Sequence, residues 1–202
     1  MNGERFTAAD LEPSDEEKQA KLRERVDRLA ATVAVLASGI SVGGMVALGA
    51  CAAPMVFRLA PAPYSGDAMG AAFARWDQIA LGAAVTLLAA EVARTWAAGA
   101  RARGLAARVR RIFAIIVAAS AAYIGLSLSP HINDLHRSGA RRGVGPEGVA
   151  LDTIHRRAEL VGKVETGLGV ALVGLHMLTL GSRRPEDDDD HAEPLPPGPR
   201  ED

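Results

Sequence analysis

Glu91, Arg94 and His176 draw attention because each interrupts an otherwise apolar run. An ionisable side chain inside a bilayer is expensive to bury, faces the bundle interior and finds a partner there. Glu91 lies fifteen residues after Trp76, and His176 lies fifteen after Val161. If both helices run in the same direction, the two side chains sit at similar depth. A Glu91–His176 contact would be pH-sensitive and is the one candidate for chemistry inside the membrane. Arg94 is three residues beyond Glu91, on the same helical face. The plainer expectation is that Glu91 and Arg94 neutralise each other along one helix near the headgroups.

Two other groups carry chemistry-bearing side chains. Lys163 and Glu165, with Glu159, Asp77 and Arg75, could form a polar vestibule at the other end of the bundle. In the simpler reading Lys163 snorkels to the interface. His131, Asp134, His136 and His155 fall in or beside the connection between the third and fourth apolar segments. Imidazole and carboxylate are ligands for zinc or copper. The H-x4-H spacing of His131 and His136 is not a helical i, i+4 pair, so solvated loop polarity is the expected role. With only His176 inside a span, no haem and no other cofactor is expected, and no catalytic residue is assigned.

The elements that position these residues follow from composition. The chain has 202 residues, 49% hydrophobic and 23% charged, with a formal net charge of -1. The mean hydropathy of +0.09 averages charged ends with a middle of charge-free runs. A single cysteine, Cys51, excludes a disulfide framework. The near-zero net charge gives no case for nucleic acid. Residues 29–57 contain no Asp, Glu, Lys, Arg or His, and neither do residues 112–130. About 20 apolar residues cross a bilayer core as a helix. A soluble helix would show a polar stripe at each turn, and these runs show none. Four spans are expected, at about 29–57, 76–98, 112–132 and 160–181. The fold class is all-α: a membrane-spanning four-helix bundle whose partner is the lipid bilayer.

Outside residues 29–181, a segment 1–28 and a tail 182–202 are expected to lie in the cytoplasm. Ser14 and Glu17 fit a capping box, opening a basic amphipathic helix that runs into the first span. The long charged segment before that span is unlike a cleavable signal peptide. The tail carries Asp187–Asp190 and five prolines and is expected to be disordered. With four spans both termini share a side, which collects fifteen Lys and Arg against eight on the other. The positive-inside rule places that side in the cytoplasm, in a bacterial inner membrane.

Small residues let membrane helices approach. Gly39, Gly43, Ala47 and Cys51 recur at i+4 on the first span, Ala114, Ala118 and Ala122 on the third, Gly167 and Ala171 on the fourth. Packing within the chain is the expected use, and a homo-oligomer seam the alternative. Pro54 and Pro130 are expected to end or kink their helices.

The segment from Gly43-Gly44-Met45 to Ala53-Pro54-Met55-Val56-Phe57, followed by Gly66, Gly70, Phe73 and Arg75, resembles the first hairpin of the transmembrane-protein-205-like family. Ser129-Pro130-His131-Ile132 and Asp152-x-x-His155-Arg156-Arg157 resemble its later elements. The resemblance implies a four-helix membrane protein of undefined function. Pro130-His131-Ile132-Asn133-Asp134-Leu135 is similar to an element of the anthrone-oxygenase-like proteins. Two functions follow: a non-enzymatic membrane protein of transport or stress tolerance, or a small membrane enzyme acting on a hydrophobic substrate. A protein partner is not specified by the sequence.

Overall fold

The computed structural model describes residues 14–61 and 64–181. Residues 1–13 and the acidic tail 182–202 lie outside the described residues. The chain forms four long helices: α1 (Asp15–Leu59), α2 (Tyr64–Ala98), α3 (Leu105–Arg137) and α4 (Gly145–Gly181). A 3-10 segment, Gly99–Arg103, joins α2 to α3. All four helices are long and apolar enough to cross a membrane. Each packs against two neighbours in the cyclic order α1, α2, α3, α4. The result is an up-down-up-down bundle with both described ends of the chain on one side.

Side-chain size is distributed inside out relative to a water-soluble bundle. The core is built from Ala30, Ala34, Ala37, Ala90 and Ala114, with Leu87, Val117 and Leu172 as its larger members. The outer faces carry Leu36, Val85, Ile115 and Val170, each more than half exposed. Such a continuous apolar exterior is a lipid-facing surface. The bundle is therefore a membrane-spanning one, held by close packing of small residues rather than by withdrawal of large ones from water.

The N-terminal end of α1 has a local cause. Ser14 Oγ accepts from the Glu17 N–H at 3.2 Å, and the Ser14 N–H donates to Glu17 Oε2 at 3.1 Å. This capping box satisfies two otherwise orphaned donors. From it α1 runs without a break through the charged segment into the span. The inward face is Asp27, Ala30, Ala31, Ala34, Ala37, Ser38 and Ser41.

Three sequence expectations need correction. First, of the two outcomes expected at the prolines, an end or a kink, the end does not occur. α1 continues to Leu59 and α3 to Arg137, and each absorbs its proline through a π turn immediately upstream, Ala47–Ala52 and Ile124–Leu128. A π turn shifts the hydrogen-bond ladder by one residue. This accommodates a residue that has no N–H to give. The two turns share a Gly-x4-Pro pattern, Gly49 to Pro54 and Gly125 to Pro130.

Second, the glycine stripe of α1 does not pack within the chain. Gly39, Gly43, Ala47 and Cys51 are exposed, and a Cβ added at Gly39 or Gly43 would meet nothing within 4 Å. Gly167 on α4 is equally open. The glycines that do allow close approach are others. Gly44 receives the Trp76 ring, Gly169 faces Val42, and Gly125 faces Asp77 and Leu81. The stripe of α3 does pack inward, with Ala114 and Ala118 buried. Phe57, on the same hairpin, is 59% exposed on the outer surface.

Third, the expected long connection between the third and fourth spans is largely helix. It shortens to the turns between Arg137 and Gly145. His131, Asp134 and His136 thus ride on the end of α3, and His155 on the start of α4.

Candidate functional site: an ionic network inside the bundle

All four helices contribute to one buried polar cluster near the end that carries both described ends of the chain. Asp27 comes from α1, Glu91 and Arg94 from α2, Arg110 from α3, and His176 and Thr179 from α4. The five ionisable members are each 5% exposed or less. Each sits on the inward stripe of its helix: Asp27 with Ala30 and Ala34, Arg110 with Ala114 and Val117.

Arg94 is the hub. Its Nε donates to Asp27 Oδ1 at 3.2 Å, its Nη1 meets His176 Nδ1 at 2.5 Å, and its Nη2 donates to Thr179 Oγ1 at 3.2 Å. The guanidinium thereby ties α2 to both α1 and α4. Thr179 passes its own hydrogen back to the Leu175 and His176 carbonyls. Glu91 faces the other way. Arg110 Nε lies 2.8 and 3.0 Å from its two carboxylate oxygens, joining α2 to α3.

His176 links the two halves and is fully buried. Arginine can only donate, so Nδ1 is the accepting nitrogen and the ring hydrogen sits on Nε2. That nitrogen lies 3.4 Å from Glu91 Oε1. The approach is off the hydrogen-bond direction, and Nε2 makes no hydrogen bond. Asp27 and Glu91 match Arg94 and Arg110 in number, so the cluster is charge-balanced around a neutral ring.

This geometry differs from the plainer sequence expectation. Glu91 and Arg94 do not pair along α2; each reaches across to a different helix. Asp27 and Arg110 are the partners that sequence reasoning missed. Both lie in charged segments beside a charge-free run, where they resemble headgroup charges. Their signal is register. Asp27 precedes Ala30, Ala34, Ala37 and Ser41 at helical spacing, and Arg110 precedes Ala114, Val117 and Ala121 likewise.

Above the network the interior is apolar. Ala34, Leu87, Val117 and Leu172 are at most 1% exposed and form an apolar layer. Beyond it, toward the opposite end, Glu165 and Asp77 are buried. Lys163 is exposed and bound to Glu159 at 2.7 Å, apart from Glu165. Arg75 is exposed and directed to Gln78.

The histidines outside the spans have other roles. His136 and His155 meet edge to face, with ring centroids 5.8 Å apart. His131 is exposed, and Asp134 pairs at the surface with Arg137. Among the described residues, no group of three or more His, Cys, Asp or Glu could hold a metal ion. His136 and Arg137 also line a cleft of about 320 Å³ with Asp67 and Asn133.

Four apolar helices closed around a buried ionic network define a four-span integral membrane protein. Residues 36–141 match the family described as Domain of unknown function (DUF4149). The match covers more than half of the chain, and the chain belongs to this family. It takes in Asp77, Glu91, Arg94, Arg110 and both prolines; Asp27 and α4 lie outside it. Neither a curated protein nor a solved structure matches the chain.

Proposed function

We propose that the protein moves a small ion across the bilayer, with the Asp27–Arg94–His176–Glu91–Arg110 network as its closed gate. The observation that carries this reading is the network itself: five ionisable side chains from four helices, buried inside the bundle. Ionisable groups in that setting mark ion and substrate pathways. A mere clasp between helices needs no charges, since well-packed apolar residues hold a bundle without desolvating four ions. The apolar layer beside the network keeps the path shut in this conformation. The two π turns offer the backbone places to rearrange, since such turns recur at functional sites.

Reconstituted vesicles test the reading directly. Imposed gradients of H⁺, Na⁺, K⁺ and Cl⁻ should reveal a flux above that of protein-free vesicles. Glu91→Gln should change its rate by roughly tenfold, about 1.4 kcal/mol in barrier. Vesicles as tight as the protein-free ones to all four ions would sink the proposal.

The same reading puts the network on the cytoplasmic side of a bacterial inner membrane. The support is the excess of Lys and Arg on the side of the termini. A reporter fused after Gly181 should be active only in its cytoplasmic form; periplasmic activity would reverse the orientation. Kinship with the transmembrane-protein-205-like proteins rests on the motifs at 43–57 and 66–75 and adds no residue role. The membrane-enzyme alternative has no observation in its favour.

A further inference from the structure

A second polar centre lies eleven residues along α4 from His176, about 16 Å at the helical rise. Glu165 on α4 and Asp77 on α2 are 4% and 8% exposed. The two carboxylates are close enough to interact electrostatically. Neither has a cationic partner among the described ion pairs. Glu165 Oε2 and Asp77 Oδ2 make no hydrogen bond at all. The Ser129 side chain, on α3, lies close enough to Asp77 to act on its carboxylate. The Trp76 indole N–H is also unpartnered and so satisfies neither carboxylate.

The backbone adds an acceptor. Asp77 Cβ lies 3.3 Å from where a Cβ of Gly125 would stand, on the π turn of α3. The Ser129 N–H is directed to the Ile124 carbonyl. Pro130, the next residue, has no N–H. The Gly125 carbonyl is thus deprived of both its α-helical and its π-helical donor. The π turn packs against both α2 and α4, so these oxygen acceptors lie on facing stretches of three helices. Unpaired buried carboxylates are strongly disfavoured. Carboxylates joined by hydroxyl and freed helix carbonyls are the ligands that hard cations take from proteins, including within membranes.

We propose that Asp77, Glu165, Ser129 and the Gly125 carbonyl form a binding centre for one desolvated hard cation, alkali or alkaline-earth. This goes beyond the transport reading and does not depend on it, because the centre can bind an ion whether or not the ion crosses.

The test uses the full chain in detergent micelles. Thermal unfolding is followed in NaCl, KCl, MgCl₂ or CaCl₂ against choline chloride of equal ionic strength, at pH 6, 7.5 and 9. One of the four cations should raise the midpoint saturably, by about 5 °C or more at a hundredfold excess over its Kd. Which salt acts identifies the charge and size of the ion. Glu165→Gln should abolish the shift; it removes a buried charge and should leave the fold intact. Ser129→Ala should weaken binding, and calorimetric titration of the unmodified protein with the active salt gives a reading independent of any variant. Four inactive salts, a shift that survives Glu165→Gln, or a midpoint that answers only to pH would overturn the proposal. The last result would mean that the two acids share a proton. The readout is binding, so its failure is distinct from a failure of the flux experiment.

Discussion

Arg110→Ala is expected to lower the stability of the bundle by about 3–5 kcal/mol, the range for removing one partner of a buried ion pair. The reason lies in what remains. Glu91 is 4% exposed, and Arg110 contacts both of its carboxylate oxygens. Arg94 makes no hydrogen bond to Glu91; its Nε, Nη1 and Nη2 are directed to Asp27, His176 and Thr179. His176 Nε2 is near but misdirected. Unfolding in mixed micelles, titrated with a denaturing detergent, measures the loss. Arg108→Ala is the control, since Arg108 is exposed and such changes stay within about 0.5 kcal/mol. Combining Arg110→Gln with Glu91→Gln should recover much of the stability. A double-mutant coupling below about 0.5 kcal/mol would mean that the two side chains act independently.

Gly44→Ala should destabilise by about 1–3 kcal/mol, as overpacking of a filled interior does. Its new Cβ would fall on the six-membered ring of Trp76. That indole is 8% exposed and packs directly on Gly44 of α1. The ring must move, and Trp76 emission, isolated in a Trp96→Phe background, should report the displacement. Gly43→Ala next door meets nothing within 4 Å. It should be neutral or gain up to about 1 kcal/mol from helix propensity. Equal effects at the two positions would refute the assigned helix face.

That pair of glycines also marks how far the sequence could be read. Charge-free runs announce spans because a bilayer forbids unpaired charge along a whole helix, and residues 29–57 and 112–130 met that condition without any partner being known. The rotation of each helix was harder. In lipid both faces are apolar, so hydrophobicity no longer says which face is inside; the glycine stripe through Gly39 and Gly43 turned outward, while Gly44 and Gly169 carried the contacts. Glu91 and His176 were visible because each stands alone in apolar surroundings. Asp27 and Arg110 were not, because each stands among other charges, and only the small residues following at helical spacing mark them as inward. Pro54 and Pro130 signalled a backbone irregularity. Its form, a π turn that lets the helix continue, depends on how neighbouring carbonyls find donors, which a single residue type does not specify.

The apolar layer of Ala34, Leu87, Val117 and Leu172 has an electrical consequence. Polarisable side chains crowd one end of the bundle interior, and unpaired carboxylates lie toward the other. A voltage across the membrane falls mainly where the medium polarises least. In this protein that is the slab of about 16 Å between His176 and Glu165, about half of a ~30 Å hydrocarbon core. A charge moved through that slab would take up a share of the ~2.3 kcal/mol that 100 mV exerts on one elementary charge across a membrane. If the protein moves ions as proposed, membrane potential would bias their exchange between the two centres.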